Sequence, residues 1–187
     1  MIESYQKHDN LFNNVKPNAI GNILIFSNND NWQIQQDFNS VSKEDYQIWK
    51  QLFSNVIDVA NKYGSKEFRS GLKKLKLNNS KFPNINKISD RIKSYTDWKV
   101  VTVAGFLDEF LFFKLNATRR FPSTEIIRQS FRFSEKYEST PIQNEFGYTP
   151  EPDIFHDVFG HMPFLTDQKY CDFISEIGQL GFEILKN

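Results

Sequence analysis

From residue 42 onward the apolar positions of this chain fall into helical register. Trp49, Leu52, Phe53, Val56 and Ala60 recur at the i, i+3, i+4, i+7, i+11 spacing of one buried helix face. Ser42 with Asp45 three residues later resembles a capping box, with Asp in place of the usual Glu or Gln, and Gly64 is a good C-terminal stop. A second, basic helix is predicted over Lys66 to Leu77, where "NNSKFPN" breaks it. In "INKISDRIKSY", Ile85, Ile88 and Ile92 have the spacing of the buried side of a short helix. "WKVVTVAGF" is β-branched and predicts a short strand. "LDEFLFFKL" is apolar on nearly every side and predicts a buried helix or a chain lining a pocket. Residues 1 to 40, rich in Asn around "AIGNILIFS", read as an arm or linker with one short strand, and residues 41 to 187 as the folded domain. Helical signals outnumber strand signals, so the predicted class is mainly α with a few short strands.

Composition narrows the setting. A chain of 187 residues with 39% apolar content is long enough for one domain with a substantial core, and 19 phenylalanines make that core aromatic. Lys+Arg and Asp+Glu balance at 23 each, so no net field steers the chain toward nucleic acid or an anionic membrane. The single cysteine, Cys171, rules out an intramolecular disulfide framework and suits a reducing compartment. The N-terminal "MIESYQKHDNLFNN" lacks a signal-peptide apolar region, and no apolar run reaches membrane-spanning length. The expected location is the cytoplasm.

The chemistry concentrates in "EPDIFHDVFGHMPF", which holds His156 and His161, two of the three histidines. On an ideal α-helix a five-residue step turns about 500°, which leaves the two imidazoles roughly 140° apart. Their convergence on one ion requires the helix to end or unwind between them, and Gly160 is the expected place, with Pro163 preventing simple continuation. The helix is expected to begin near Pro152, with Asp153 in its first turn. Asp153 then lies on the side of His156, able to accept a hydrogen bond from its free ring nitrogen and raise its basicity. Phe155, Phe159, Met162 and Phe164 are expected to form a dry shell around the imidazoles. The plain alternative is two ordinary histidines at a helix end, satisfied by local carboxylates. Two neutral imidazoles and a carboxylate on one face of an octahedron would suit non-haem Fe(II), but the residues alone leave iron and zinc undecided.

The run "YTPEPDIFHDVFGHMPF", continuing into "FISEIGQLG", resembles the pterin-dependent aromatic amino acid hydroxylases, and "FHDVFGH" is more similar to the bacterial phenylalanine hydroxylases than to the animal enzymes. "VAGFLDEFLFFKLNATRRFPSTEIIR" resembles the family's pterin-side segment. The resemblance implies a partial catalytic domain of that family, using Fe(II), a tetrahydropterin and O₂ to hydroxylate an aromatic amino acid, most simply phenylalanine to tyrosine. It makes His156 and His161 the iron ligands and Asp153 the residue that holds the first of them. Asp157 would face the pterin, Phe112 would stack on it, and the backbone beside Leu107 would hydrogen-bond it. Arg128 would pair with the substrate carboxylate, with Thr149 and Pro152 lining the same pocket. A pterin needs an aromatic face and a carboxylate suits a guanidinium fork. Without the family, Phe112 reads as a core residue and Arg128 as a surface cation.

The pattern departs from the family in two places. Between Arg128 and Tyr148 lies a long connection, residues 129–147, that makes Arg132 a competitor for the carboxylate. The family's third iron ligand is a glutamate in a downstream "VEFG"-like segment, and the chain reaches Asn187 without one. Glu176 and Glu183 are the last available carboxylates, and Glu176 already belongs to a different matching segment. The expectation is a catalytic domain cut short, weak or inactive alone, with a second chain or oligomer as another possible source of the carboxylate.

Overall fold

The capping box at Ser42 forms as read. In the computed structural model, which describes residues 33–103, 107, 109–127 and 153–186, the Asp45 backbone N–H donates to Ser42 Oγ at 3.1 Å. In return, the Ser42 N–H donates to Asp45 Oδ2 at 2.8 Å. Helix α1, Lys43–Tyr63, follows and buries Ile48, Trp49 and Phe53, while Leu52, Val56 and Ala60 pack half-buried against the same core. Trp49 satisfies its indole N–H on the Asn78 carbonyl at 2.9 Å.

Helix α2 runs over Lys66–Lys74 and so ends earlier than expected. The reason is local: Lys76 adopts φ 54°, a left-handed exit that turns the chain after one Leu75 N–H to Gly71 carbonyl bond of 2.9 Å. Helix α3, Ile85–Lys93, is capped by Asn84 and buries Ile85, Ile88 and Ile92, the three positions its spacing predicts.

The strand expected in "WKVVTVAGF" is β1, Lys99–Val103. It pairs in parallel with β2, Arg120–Thr124, in a register running from Lys99 opposite Arg120 to Val103 opposite Thr124. The two are linked by α4, Glu109–Ala117, the crossover that a parallel pair requires. On its other edge β1 receives residues from the end of the predicted arm: Ile34 N–H donates to the Thr102 carbonyl at 2.9 Å. The Asp37 N–H donates to the Glu125 carboxylate at 2.7 Å.

Of the two alternatives its composition leaves, a buried helix or a chain lining a pocket, α4 is not the fully buried helix. It buries Leu115 and Asn116 but leaves Phe112 41% exposed. Apolar residues all round one helix need cover on all sides, and the sheet and the last helix cover only part of it. That last helix, α5, spans Gln168–Lys186 and packs closely on α4. Cys171 on α5 is buried and donates to the Leu165 carbonyl at 3.3 Å. Burial pushes its thiol up to about 12. No helix among the described residues is long and apolar enough to cross a membrane.

Candidate metal centre

The segment between β2 and α5 resolves the geometric problem posed by two histidines five residues apart. After Ile154 and Phe155 the helix does unwind between the histidines, but over the whole of His156–His161, as a π-helix, rather than at Gly160. The Met162 N–H bonds to the Asp157 carbonyl, an i→i+5 link. With that wider loop, a five-residue step comes close to one full turn, and His156 and His161 share a face. Their Nε2 atoms are 2.9 Å apart and their ring centroids 4.8 Å apart. Gly160 is exposed, with nothing within 4 Å of where a Cβ would stand, so it is not a site of close backbone approach. The turn then tightens into a 3₁₀ segment, Met162–Thr166, with Pro163 at its start.

The flanking aromatics do not form a dry shell around the imidazoles. Phe155 and Phe159 stack at 5.2 Å and face the opposite way, against Trp49 at 5.4 Å and Phe53 at 5.4 Å. They bolt the π-turn to α1 and leave His156 exposed and His161 half-buried. One turn cannot present aromatics and histidines on the same side, so the apolar set goes to the core. The ring that does reach His161 is Phe121 on β2, 5.5 Å away between centroids. Partial burial, and to a smaller extent the neighbouring His156, hold the His161 imidazole below the usual histidine range. Both effects favour the neutral imidazole, the form that binds metal.

Two carboxylates brace this turn. Asp153 is fully buried and accepts the His156 backbone N–H at 2.9 Å, a helix-start role. Asp157 is buried and accepts the Thr124 backbone N–H at 3.1 Å through Oδ2, tying the π-turn to the end of β2. A second tie runs from Ile154 N–H to the Ile126 carbonyl at 2.9 Å. Sequence reasoning singled out neither Phe121 nor Thr124, because the proline within "RFPST" argues against a strand there.

The structure thus brings His156, His161, Asp153 and Asp157 together on about two turns, Asp153 to His161. Leu107 is half-buried and packs with Val101, Val103 and Leu115, and Phe112 stands exposed on α4. Arg128, Arg132, Thr149 and Pro152 lie outside the described residues. Among the described residues, no group of three or more His, Cys, Asp and Glu is arranged to hold a metal ion.

The donor set fits a metal nonetheless. Two imidazole nitrogens 2.9 Å apart match neighbouring corners of an octahedron whose metal–nitrogen bonds are about 2.1 Å. The same distance is that of a hydrogen bond between the two rings, so it places both nitrogens within reach of one ion without choosing between iron and zinc.

Asp153→Asn separates the two roles open to Asp153. Asn caps helices as well as Asp does, so helix content should hold. Loss of the buried negative charge should still weaken metal binding by roughly 10- to 100-fold, the usual effect of an outer partner. Circular dichroism and Fe(II) titration check both, and unchanged affinity would leave Asp153 as a cap alone.

A model of the biopterin-dependent aromatic amino acid hydroxylase family matches residues 27–183. Phenylalanine-4-hydroxylase of Caulobacter vibrioides is 34% identical over 80% of this chain and 47% of its own length. The structure of Chromobacterium violaceum phenylalanine hydroxylase with iron(III) and 7,8-dihydrobiopterin superimposes at TM-score 0.72 with 29% identity, over 90% of this chain and 57% of that one. The iron- and phenylalanine-bound structure of the same enzyme gives 0.71 at 27% identity, over 89% and 56%. The chain spans about half the length of the curated relatives it matches.

Proposed function

The chain belongs to the biopterin-dependent aromatic amino acid hydroxylases, and on that premise we propose that it serves an iron- and tetrahydropterin-dependent monooxygenase reaction on an aromatic amino acid, phenylalanine to tyrosine. The observation that carries the proposal is the convergence of two Nε2 atoms, 2.9 Å apart, on one face of a π-turn. His156 and His161 would hold Fe(II). Bound iron together with a reduced pterin supplies the means of activating O₂.

The remaining roles belong to the chain's own side chains. Phe112 offers an exposed aromatic face on which a planar pterin could stack. Leu107 would present backbone groups to the same ring. Asp157, held by Thr124, would orient the pterin from the iron side. Arg128 would clamp the amino acid's carboxylate, beside Thr149 and Pro152. A cytoplasmic setting is consistent with a lone cysteine kept as a thiol.

A second reading is that this chain binds metal or an aromatic ligand without turning over. It is favoured by the lack, among the described residues, of a third ligating side chain beside the two histidines. The two readings part in one experiment on the 187-residue chain. After anaerobic loading, bound iron is counted, and tyrosine is then followed with phenylalanine, reduced pterin and O₂. Iron binding with pterin-dependent tyrosine supports the monooxygenase. Iron binding without tyrosine supports the second reading, and absence of both iron and tyrosine overturns the metal site itself.

A further inference from the structure

Three buried side-chain atoms among the described residues have no hydrogen-bond partner: Trp98 Nε1, Asn116 Oδ1 and Thr124 Oγ1. Two of them have a plain account. The Trp98 N–H comes with a large ring that fills the core, and Asn116 still donates its amide N–H to the Phe112 carbonyl at 2.9 Å. Thr124 has no such account. Valine has the same shape and suits a strand equally well, without a hydroxyl to take out of water. Thr124 is only 6% exposed, and a buried hydroxyl left unbonded destabilises a fold where an apolar isostere does not. Such a group in a native structure calls for a role outside the fold itself.

The strand register says where that oxygen lies. Thr124 stands opposite Val103, and Pro122 opposite Val101. Residues opposite each other on neighbouring strands project from the same face. Val101 and Val103 pack with Leu107, Leu111 and Leu115 on the side of the sheet that α4 covers. Val100 and Phe121 belong to the main core on the other side. The Thr124 hydroxyl is therefore on the face of Leu107, among side chains that offer it neither donor nor acceptor. From the same residue the backbone N–H reaches Asp157 Oδ2 at 3.1 Å. Thr124 thus borders two of the groups assigned to the pterin, and its own hydroxyl, able both to donate and to accept, is unbonded.

We propose that Thr124 is a cofactor-binding residue, whose hydroxyl forms a hydrogen bond with the polar edge of the pterin. The inference rests on the pterin reading given above. In the unloaded chain the oxygen is shut off from solvent, so its cover gives way when the site is filled. The hydroxyl then acts in opposite directions: it weakens the unloaded fold and strengthens the loaded one.

Two variants test this. Thr124→Val removes the hydroxyl but keeps the shape and the backbone N–H to Asp157, and Thr124→Ser keeps the hydroxyl. For each, the urea midpoint of the unloaded protein is measured, then Fe(II) affinity, then calorimetric binding of 7,8-dihydrobiopterin, the oxidised cofactor seen in the Chromobacterium violaceum enzyme. Thr124→Val should raise the urea midpoint, keep the parent's Fe(II) affinity and bind dihydrobiopterin about fivefold more weakly, the effect of one hydrogen bond. Thr124→Ser should bind it within about twofold of the parent. Parent-level dihydrobiopterin binding by Thr124→Val overturns the inference and leaves the pterin reading standing. A lowered urea midpoint for Thr124→Val also overturns it, because the hydroxyl would then be bonded within the protein. So does a Thr124→Ser protein as weak as Thr124→Val, which would make shape the cause. A parent that binds no dihydrobiopterin, whatever its iron content, overturns the pterin reading and this inference with it.

Discussion

Bound iron is expected to fall to background when either His156 or His161 is replaced by alanine. Each imidazole supplies half of the nitrogen donors, and no third ligand stands beside them among the described residues. Removing one therefore leaves a single nitrogen, and affinity should drop by more than the roughly 10- to 100-fold typical of an outer partner. Misfolding would not explain such a loss for His156, because its side chain is exposed and anchors no core contact. His161 is half-buried against Phe121, so its variant should lose some thermal stability as well as iron. Iron per chain is measured after anaerobic Fe(II) loading and desalting, with melting temperatures of the metal-free proteins alongside. If both variants keep the parent's iron, the pair is not the site, and its 2.9 Å approach is only a hydrogen bond between the two rings.

The helices were legible because burial imposes a period. Trp49 and Phe53, or Ile85, Ile88 and Ile92, lie inside because a surface helix has one face to hide. Strand β1 showed itself by β-branched residues, whereas β2 did not, since Pro122 sits opposite Val101 in a five-residue strand. At the site, the residue types were legible and the geometry was not. Read as an α-helix, the spacing of His156 and His161 sends the rings apart, and nothing in composition announces an i→i+5 turn. The same blindness put Phe155 and Phe159 around the histidines, when packing on α1 draws them to the other side. The exposed apolar face of α5 around Leu180 escaped notice for a different reason: a sequence pattern shows that a stripe is apolar, not which of two stripes on one helix the fold has covered.

The largest loss of stability is expected from adding one methyl group, in Gly71→Ala. Helix propensity predicts the opposite sign, because alanine in a helix interior is favoured over glycine by about 1 kcal/mol. Position 71 is special for its neighbour. Helix α2 crosses the 3₁₀ segment that follows His161, and a Cβ on residue 71 would stand at 2.0 Å from the Pro163 carbonyl oxygen and 2.5 Å from its carbonyl carbon. Those are backbone atoms, so no rotamer change relieves the clash. Either α2 lifts away, dragging the Lys74 bond to the Thr166 carbonyl with it, or the Pro163 turn shifts and carries His161 along. Overpacking of this kind costs typically about 1–3 kcal/mol and at times more, and a clash with immovable backbone belongs at the upper end. Gly160→Ala is the internal control: the position lies inside the π-turn with nothing within 4 Å of its added methyl, so the variant should not destabilise the protein and should gain up to about 1 kcal/mol from helix propensity. Urea unfolding of the two variants ranks them, and Fe(II) titration of folded Gly71→Ala shows whether the strain reaches the histidines. A Gly71→Ala protein as stable as the parent would mean that α2 does not pack on the Pro163 turn in solution, and the support beneath His161 would have to be sought elsewhere.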